Sequence, residues 1–99
     1  MTFRLSIRKD AEADIAEAYE YYESCQSGLG QDFMLCIDES FSRILKNPNQ
    51  YRVIYKTVRR ALVRRYLYGV YYVVLNNIVL VIGVAHARRN PAHWQRRMS

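Results

Sequence analysis

Phe3, Leu5 and Ile7 alternate with Thr2, Arg4 and Ser6, the two-residue period of a half-buried strand. From Asp10 the period lengthens. Ala11, Ile15, Ala18, Tyr22 and Cys25 recur at helical spacing, with Asp10 as the N-cap and Asp14, Glu17, Glu20 and Glu23 on the other sides. Ser27-Gly28-Leu29-Gly30 breaks this helix. A second stripe, Phe33, Ile37, Phe41, Ile44 and Leu45, runs until Pro48 disfavours helical geometry at Asn47. Two consecutive amphipathic helices predict a hairpin with one apolar seam.

Beyond Pro48 the apolar residues turn β-branched and aromatic, predicting strands from Val58 to Tyr66, Val70 to Leu75 and Ile78 to His86. Asn76-Asn77 reads as a two-residue hairpin turn, because asparagine tolerates the positive φ such turns require. Ile78 to Ala85 is apolar on both faces, as a central strand would be, and His86 follows the alternation of Ile82 and Val84. Arg59, Arg60, Arg64 and Arg65 flank Ala61-Leu62-Val63 on both faces, the pattern of an edge or rim strand whose charge deters aggregation. Asn90-Pro91 is an N-cap followed by proline, opening a short helix through Trp94 and Arg97. The predicted order is β-α-α-β-β-β-α: an α+β fold over residues 1–99 in one domain, with a four-stranded antiparallel-rich sheet and the helical hairpin packed on one face. The segment after Trp94 is expected to add little core, so that removing Gln95 to Ser99 leaves folding intact.

Ninety-nine residues allow one modest core but not two lobes around a buried cofactor, so no cofactor is expected. The composition, half apolar and 13% aromatic, excludes disorder. Met1-Thr2-Phe3-Arg4 lacks a secretory pattern and no apolar stretch approaches the roughly 18 residues of a membrane span, so a cytoplasmic protein without membrane contact is expected. Cys25 and Cys36 fall in different predicted helices and read as core or half-buried thiols. With only His86 and His93 besides, no zinc spacing exists and no metal is expected.

Charge changes the picture most. Through Asn49 the chain carries five basic and nine acidic residues, or −4; from Gln50 onward it carries ten Lys or Arg and no carboxylate, or +10. Nine of those ten are arginine, whose planar fork suits carboxylate or phosphate. A polyanionic partner follows: nucleic acid, nucleoprotein or an acidic protein segment. Tyr66 and Tyr72 read as cross-strand packing, whereas Tyr68, beside Gly69 and near Arg64 and Arg65, is expected to be exposed and able to stack on a partner.

An ordered set of short motifs spans nearly the whole chain. Ala11-x-x-Asp14-Ile15 is followed by Tyr21-Tyr22, Phe33, Ile37, Asn47-Pro48 and Val58-Arg59, then Tyr66-x-Tyr68-x-Val70-x-Tyr72 and His86-x-x-Arg89-x-Pro91-x-x-Trp94-x-x-Arg97. This set resembles the RelE/ParE superfamily of bacterial toxins from type II toxin–antitoxin systems, often labelled plasmid stabilisation proteins. The family commonly reads Phe-Pro-Tyr where this chain has Tyr66-Leu67-Tyr68, which implies a differently shaped turn. The resemblance implies a toxin held inactive by a cognate acidic antitoxin whose C-terminal segment wraps it, in a toxin–antitoxin hetero-oligomer. The candidate surface for target or antitoxin is Arg59, Arg60, Arg64, Arg65, Tyr68, Arg88, Arg89, Trp94, Arg96 and Arg97. Solvated surface is the alternative for Arg96 and Arg97, and a pin onto the sheet is the alternative for Trp94.

The superfamily has two branches. In the mRNA-cleaving branch, attack by an adjacent 2′-hydroxyl needs a base, an acid and a cation for the developing phosphorane. The C-terminal half has no carboxylate, leaving His86 or His93 for proton transfer and Arg88 or Arg89 as phosphate clamps. His86 could equally be a structural histidine bonded to backbone. Many ribosome-dependent nucleases of the family place arginine directly after the tyrosine that starts the third strand, and here that place is Gly69. Tyr-x-Val-x-Tyr with His-x-x-Arg-x-Pro-x-x-Trp looks more like the ParE branch, whose members poison DNA gyrase without cutting RNA. The expectation is a non-enzymatic gyrase inhibitor; the alternatives are a ribosome-dependent mRNA endonuclease and an inactive or plain nucleic-acid-binding domain.

Overall fold

Alternation and helical periodicity translate into ten elements in a computed structural model that describes residues 2–98. Strand β1 (Arg4–Ile7) leads into helices α1 (Lys9–Cys25) and α2 (Leu29–Lys46), and a 3-10 turn follows at Pro48–Gln50. Strands β2 (Val53–Tyr55), β3 (Val58–Val63), β4 (Tyr68–Leu75) and β5 (Ile78–His86) come next, then helix α3 (Ala92–Gln95) and a 3-10 turn at Arg96–Met98. The sheet has five strands in the order β1-β5-β4-β3-β2, with β1 parallel to β5 and the remaining pairs antiparallel.

The helical hairpin starts and turns slightly differently from its sequence pattern. The extended residue before α1 is Arg8, so Asp10 is not the cap but sits in the first turn beside Glu12, where carboxylates favour the helix dipole. Leu29 and Gly30 are already helical, and the break shrinks to a turn closed by Gly28 at φ 88°. Glu23 holds it, accepting from Gly28 N at 3.1 and 3.0 Å and from Gly30 N at 3.0 Å. A Cβ at Gly30 would lie 2.8 Å from the Tyr19 carbonyl, so glycine permits the close approach of the two helices.

The fifth strand corrects the predicted four. Val53-Ile54-Tyr55 is too short to show alternation, yet it pairs with β3 around a turn in which Lys56 adopts φ 51°. It makes β2 the edge and β3 an interior strand, contrary to the reading of the arginine-flanked segment as a rim. That segment also ends at Val63, which moves Arg64 and Arg65 into the β3–β4 turn. Leu67 in this turn has φ 53°, a value the proline of the family's Phe-Pro-Tyr cannot adopt.

Tyr71 pairs with Gly83 but Tyr72 with Val81, so Ile82 is an extra residue that bulges β5. The bulge reverses the alternation. Val79, Val81 and Val84 face the hairpin, whereas Ile82 and Ala85 face the other way, so His86 does not share a face with Ile82. Ala11, Ile15 and Ala18 of α1 and Phe33, Ile37, Phe41 and Ile44 of α2 close the first core against Val70, Tyr72 and β5. On the opposite face Val58, Tyr71, Val73, Ile82 and Ala85 are covered by Trp94. Cys36 is half-buried but Cys25 lies at the surface, and both thiols are free. Among the described residues no helix is long and apolar enough to cross a membrane.

Candidate functional site

Tyr68 opens β4 directly opposite His86 at the end of β5, and α1 passes over this end of the sheet. Between them lies a cleft of about 250 Å³ walled by Asp14, Glu17 and Tyr21 from α1, by Tyr68 and His86, and by Arg89 from the following loop. Tyr68 is half-buried rather than exposed: its ring lies 5.1 Å from Phe33, 6.0 Å from Tyr22 and 5.6 Å edge-on from His86. Burial first, then the neighbouring Tyr22, push its hydroxyl to about 12, against a smaller opposing pull from Arg89. It is a neutral hydrogen-bond donor at physiological pH. His86 accepts the Arg88 backbone N–H on Nδ1 at 3.1 Å, which leaves Nε2 carrying the proton of the neutral ring.

Asp14 is the residue the charge pattern concealed. Its position between Ala11 and Ala18 puts it on the seam of α1, the one signal in the sequence for a buried carboxylate. It accepts from Arg97 Nη1 at 2.7 Å and Nη2 at 3.1 Å and from Val84 N at 3.0 Å, and meets His93 Nε2 at 3.0 Å. Arg97 also donates to the Ile82 carbonyl at 2.8 Å. These backbone groups flank the bulge, past the point where β1 stops at Ile7 opposite Val81. Asp14 and Arg97 therefore take over the bonds that a longer β1 would have made. The side chains are only 8% and 13% exposed, and the Asp14 hydrogen bonds raise the Arg97 pKa further.

The predicted site residues separate into groups. Arg97, His93 and Trp94 belong to the packed C-terminal segment: Trp94 stacks on Tyr71 at 4.4 Å and 18°, with Tyr55 edge-on at 5.8 Å. The burial of Arg97 contradicts the expectation that the segment after Trp94 adds little to the fold. Arg59 donates to the Tyr51 carbonyl at 2.5 Å and the Asn49 carbonyl at 3.1 Å, stapling the loop after α2. Arg64 and Arg65 sit beside α2, where Arg65 meets Asp32 at 3.3 Å and Asp32 also accepts the Tyr66 hydroxyl. Arg88, Arg89 and Arg96 are exposed. Arg89 reaches both the cleft and a second cavity of about 230 Å³ on the opposite face, where Arg60 joins it over Tyr71 and Trp94. The structure thus brings Tyr68, His86 and Arg89 together at the cleft and Arg60 beside Arg89 on the opposite face, and places Arg64 and Arg65 in the adjoining β3–β4 turn against α2.

Gly69, next to Tyr68, pairs with Leu62 and Ala85. A Cβ there would stand 2.8 Å from both Cζ and the hydroxyl oxygen of Tyr71. The Tyr71 ring is itself buried against Trp94, so it cannot swing aside freely.

A sequence profile described as the ParE toxin of type II toxin–antitoxin system, parDE, matches residues 5–91. The fold is similar to a chain of the chromosomal ParDE TA system from P. aeruginosa, at 16% identity over 86% of this chain and 96% of that one, with a TM-score of 0.77. It is also similar to an arginine-to-alanine double mutant of the E. coli toxin RelE in the free state, at 15% identity over the whole of both chains (100% each) with a TM-score of 0.65. No curated protein matches the chain.

Proposed function

The chain belongs to the ParE toxin family of type II toxin–antitoxin systems, and from that membership we propose that it inhibits DNA gyrase by binding and does not cleave RNA. It is a toxin with an antitoxin as its partner. The observation that carries the mechanistic reading is the closure over Gly69, where the phenol of Tyr71 fills the space a phosphate-binding arginine would need. Asp14 is occupied on both oxygens, and Tyr68 is held neutral. What the cleft end offers instead is Arg60, Arg88 and Arg89 with no carboxylate paired to them among the described residues, a surface for an acidic macromolecular patch in the cytoplasm.

The test is direct. Purified toxin should inhibit gyrase supercoiling, Arg88→Ala with Arg89→Ala should weaken that inhibition, and primer extension on mRNA from induced cells should show no discrete cuts. Codon-specific cuts lost in His86→Ala, with gyrase fully active, would overturn the reading in favour of a ribosome-dependent endonuclease. The cognate antitoxin should bind this basic end through an acidic segment, with affinity falling as salt rises.

A further inference from the structure

On the far side of the hairpin seam, α2 and the end of β3 enclose a cleft of about 500 Å³, within the range of small-molecule sites (roughly 300–1,000 Å³). Its wall combines Ser40, Glu39 and Arg43 of α2 with Arg64 and Arg65 of the β3–β4 turn and with Tyr51. Ser40 is only 7% exposed, yet its hydroxyl makes no hydrogen bond to any described residue. No sealed side-chain polar atom among the described residues lacks a partner, so this hydroxyl keeps its access through the cleft. A nearly buried hydroxyl on the wall of an open cleft is a group waiting for an acceptor.

The charges around it define that acceptor. Arg43 meets Glu39 at 2.7 Å through Nη2, which leaves its other N–H groups unspent. Arg65 leans on Asp32 through Nη1 alone. Arg64 has no partner among the described residues. Three guanidinium groups therefore face one carboxylate within the wall, with Asp32 just outside it. A carboxylate ligand would bring one charge and two oxygens; a phosphomonoester brings about two charges and three oxygens, enough for Arg64, a second arginine and the Ser40 hydroxyl together. The volume exceeds what a phosphate fills, and Tyr51 is the one aromatic residue on the wall that a base could meet.

We propose that the cleft between α2 and the β3–β4 turn binds a nucleoside phosphomonoester, with Arg64, Arg43 and the Ser40 hydroxyl on the phosphate. The site is independent of the gyrase reading and shares no residue with the cleft at Tyr68 and His86. Full-length toxin is titrated calorimetrically with AMP, adenosine and inorganic phosphate at matched ionic strength. AMP is expected to bind saturably, phosphate more weakly and adenosine not at all. Arg64→Ala should lower AMP affinity roughly tenfold or more, Ser40→Ala by a smaller factor, and Arg52→Ala, an exposed basic residue outside the cleft, should leave it unchanged. A 5′-phosphorylated dinucleotide set against its 5′-hydroxyl form tells whether a strand end can supply the same group. Circular dichroism melting confirms that each variant folds. No AMP binding, binding that adenosine matches, or affinity that Arg52→Ala lowers as much as Arg64→Ala overturns the proposal.

Discussion

Arg97 and Arg89 lie eight positions apart in one basic segment and do opposite things. Arg97 is nearly enclosed, with a bidentate carboxylate and a backbone carbonyl as partners; Arg89 is exposed at the junction of two cavities. The difference originates in the strand that precedes both. A bulge at Ile82 leaves backbone groups that β1 is too short to reach, and a buried carboxylate from α1 plus a returning arginine satisfy them. The same bulge turns His86 toward the hairpin side, so the loop that follows presents Arg88 and Arg89 at the sheet's end. Arginine contributes to the fold where a desolvated partner meets it, and is left for recognition where none does.

The comparison breaks most readily at its buried side. Asp14→Ala removes the bidentate partner of the largely enclosed Arg97 guanidinium, leaving it the Ile82 carbonyl and a longer contact to Asp10 at 3.5 Å, and should cost about 3–5 kcal/mol in denaturant unfolding. A loss under about 1 kcal/mol would mean that the network is ornamental. Truncation before Gln95 should approach the same loss, since it removes Arg97 and Met98, which packs against the cluster around Trp94.

Alkaline titration sharpens the contrast, because arginine keeps its charge while tyrosine does not. Tyr72 is fully buried, donates to the Pro48 carbonyl at 2.6 Å, and is raised by burial from 10.0 to about 12. A folded-state pKa above the unfolded one gives stability that is complete below pH 10 and lost between about pH 10 and 12. The loss for this group is on the order of 2–3 kcal/mol. Tyr72→Phe should flatten that part of the pH profile; an unchanged slope would assign it elsewhere.

At Gly69 the expected effect is smaller. Gly69→Ala forces the Tyr71 ring off Trp94 and should cost about 1–3 kcal/mol, with a double mutant Gly69→Ala, Tyr71→Ala losing less than the sum. Additivity would show that the ring does not close the site. Smallest of all, Arg88→Ala with Arg89→Ala should shift stability by no more than about 0.5 kcal/mol while weakening gyrase inhibition. Equal loss of stability in this pair and in Arg97→Ala would erase the distinction between the two arginines.

Period and composition carried the α+β order, the two helices and their seam, the Asn76 turn and the basic half, because each rests on neighbours a few positions apart. Asn90 capping Ala92 at 3.0 Å and Asn76 at φ 55° are local effects of that kind. β2 escaped notice because three residues cannot display alternation, and the phase of His86 because a bulge is a mismatch between two strands rather than a property of either. The pairing of Asp14 with Arg97 across 83 positions was equally invisible: a charge total counts carboxylates by where they fall in the chain, whereas packing α1 on β5 decides which of them meets an arginine away from water.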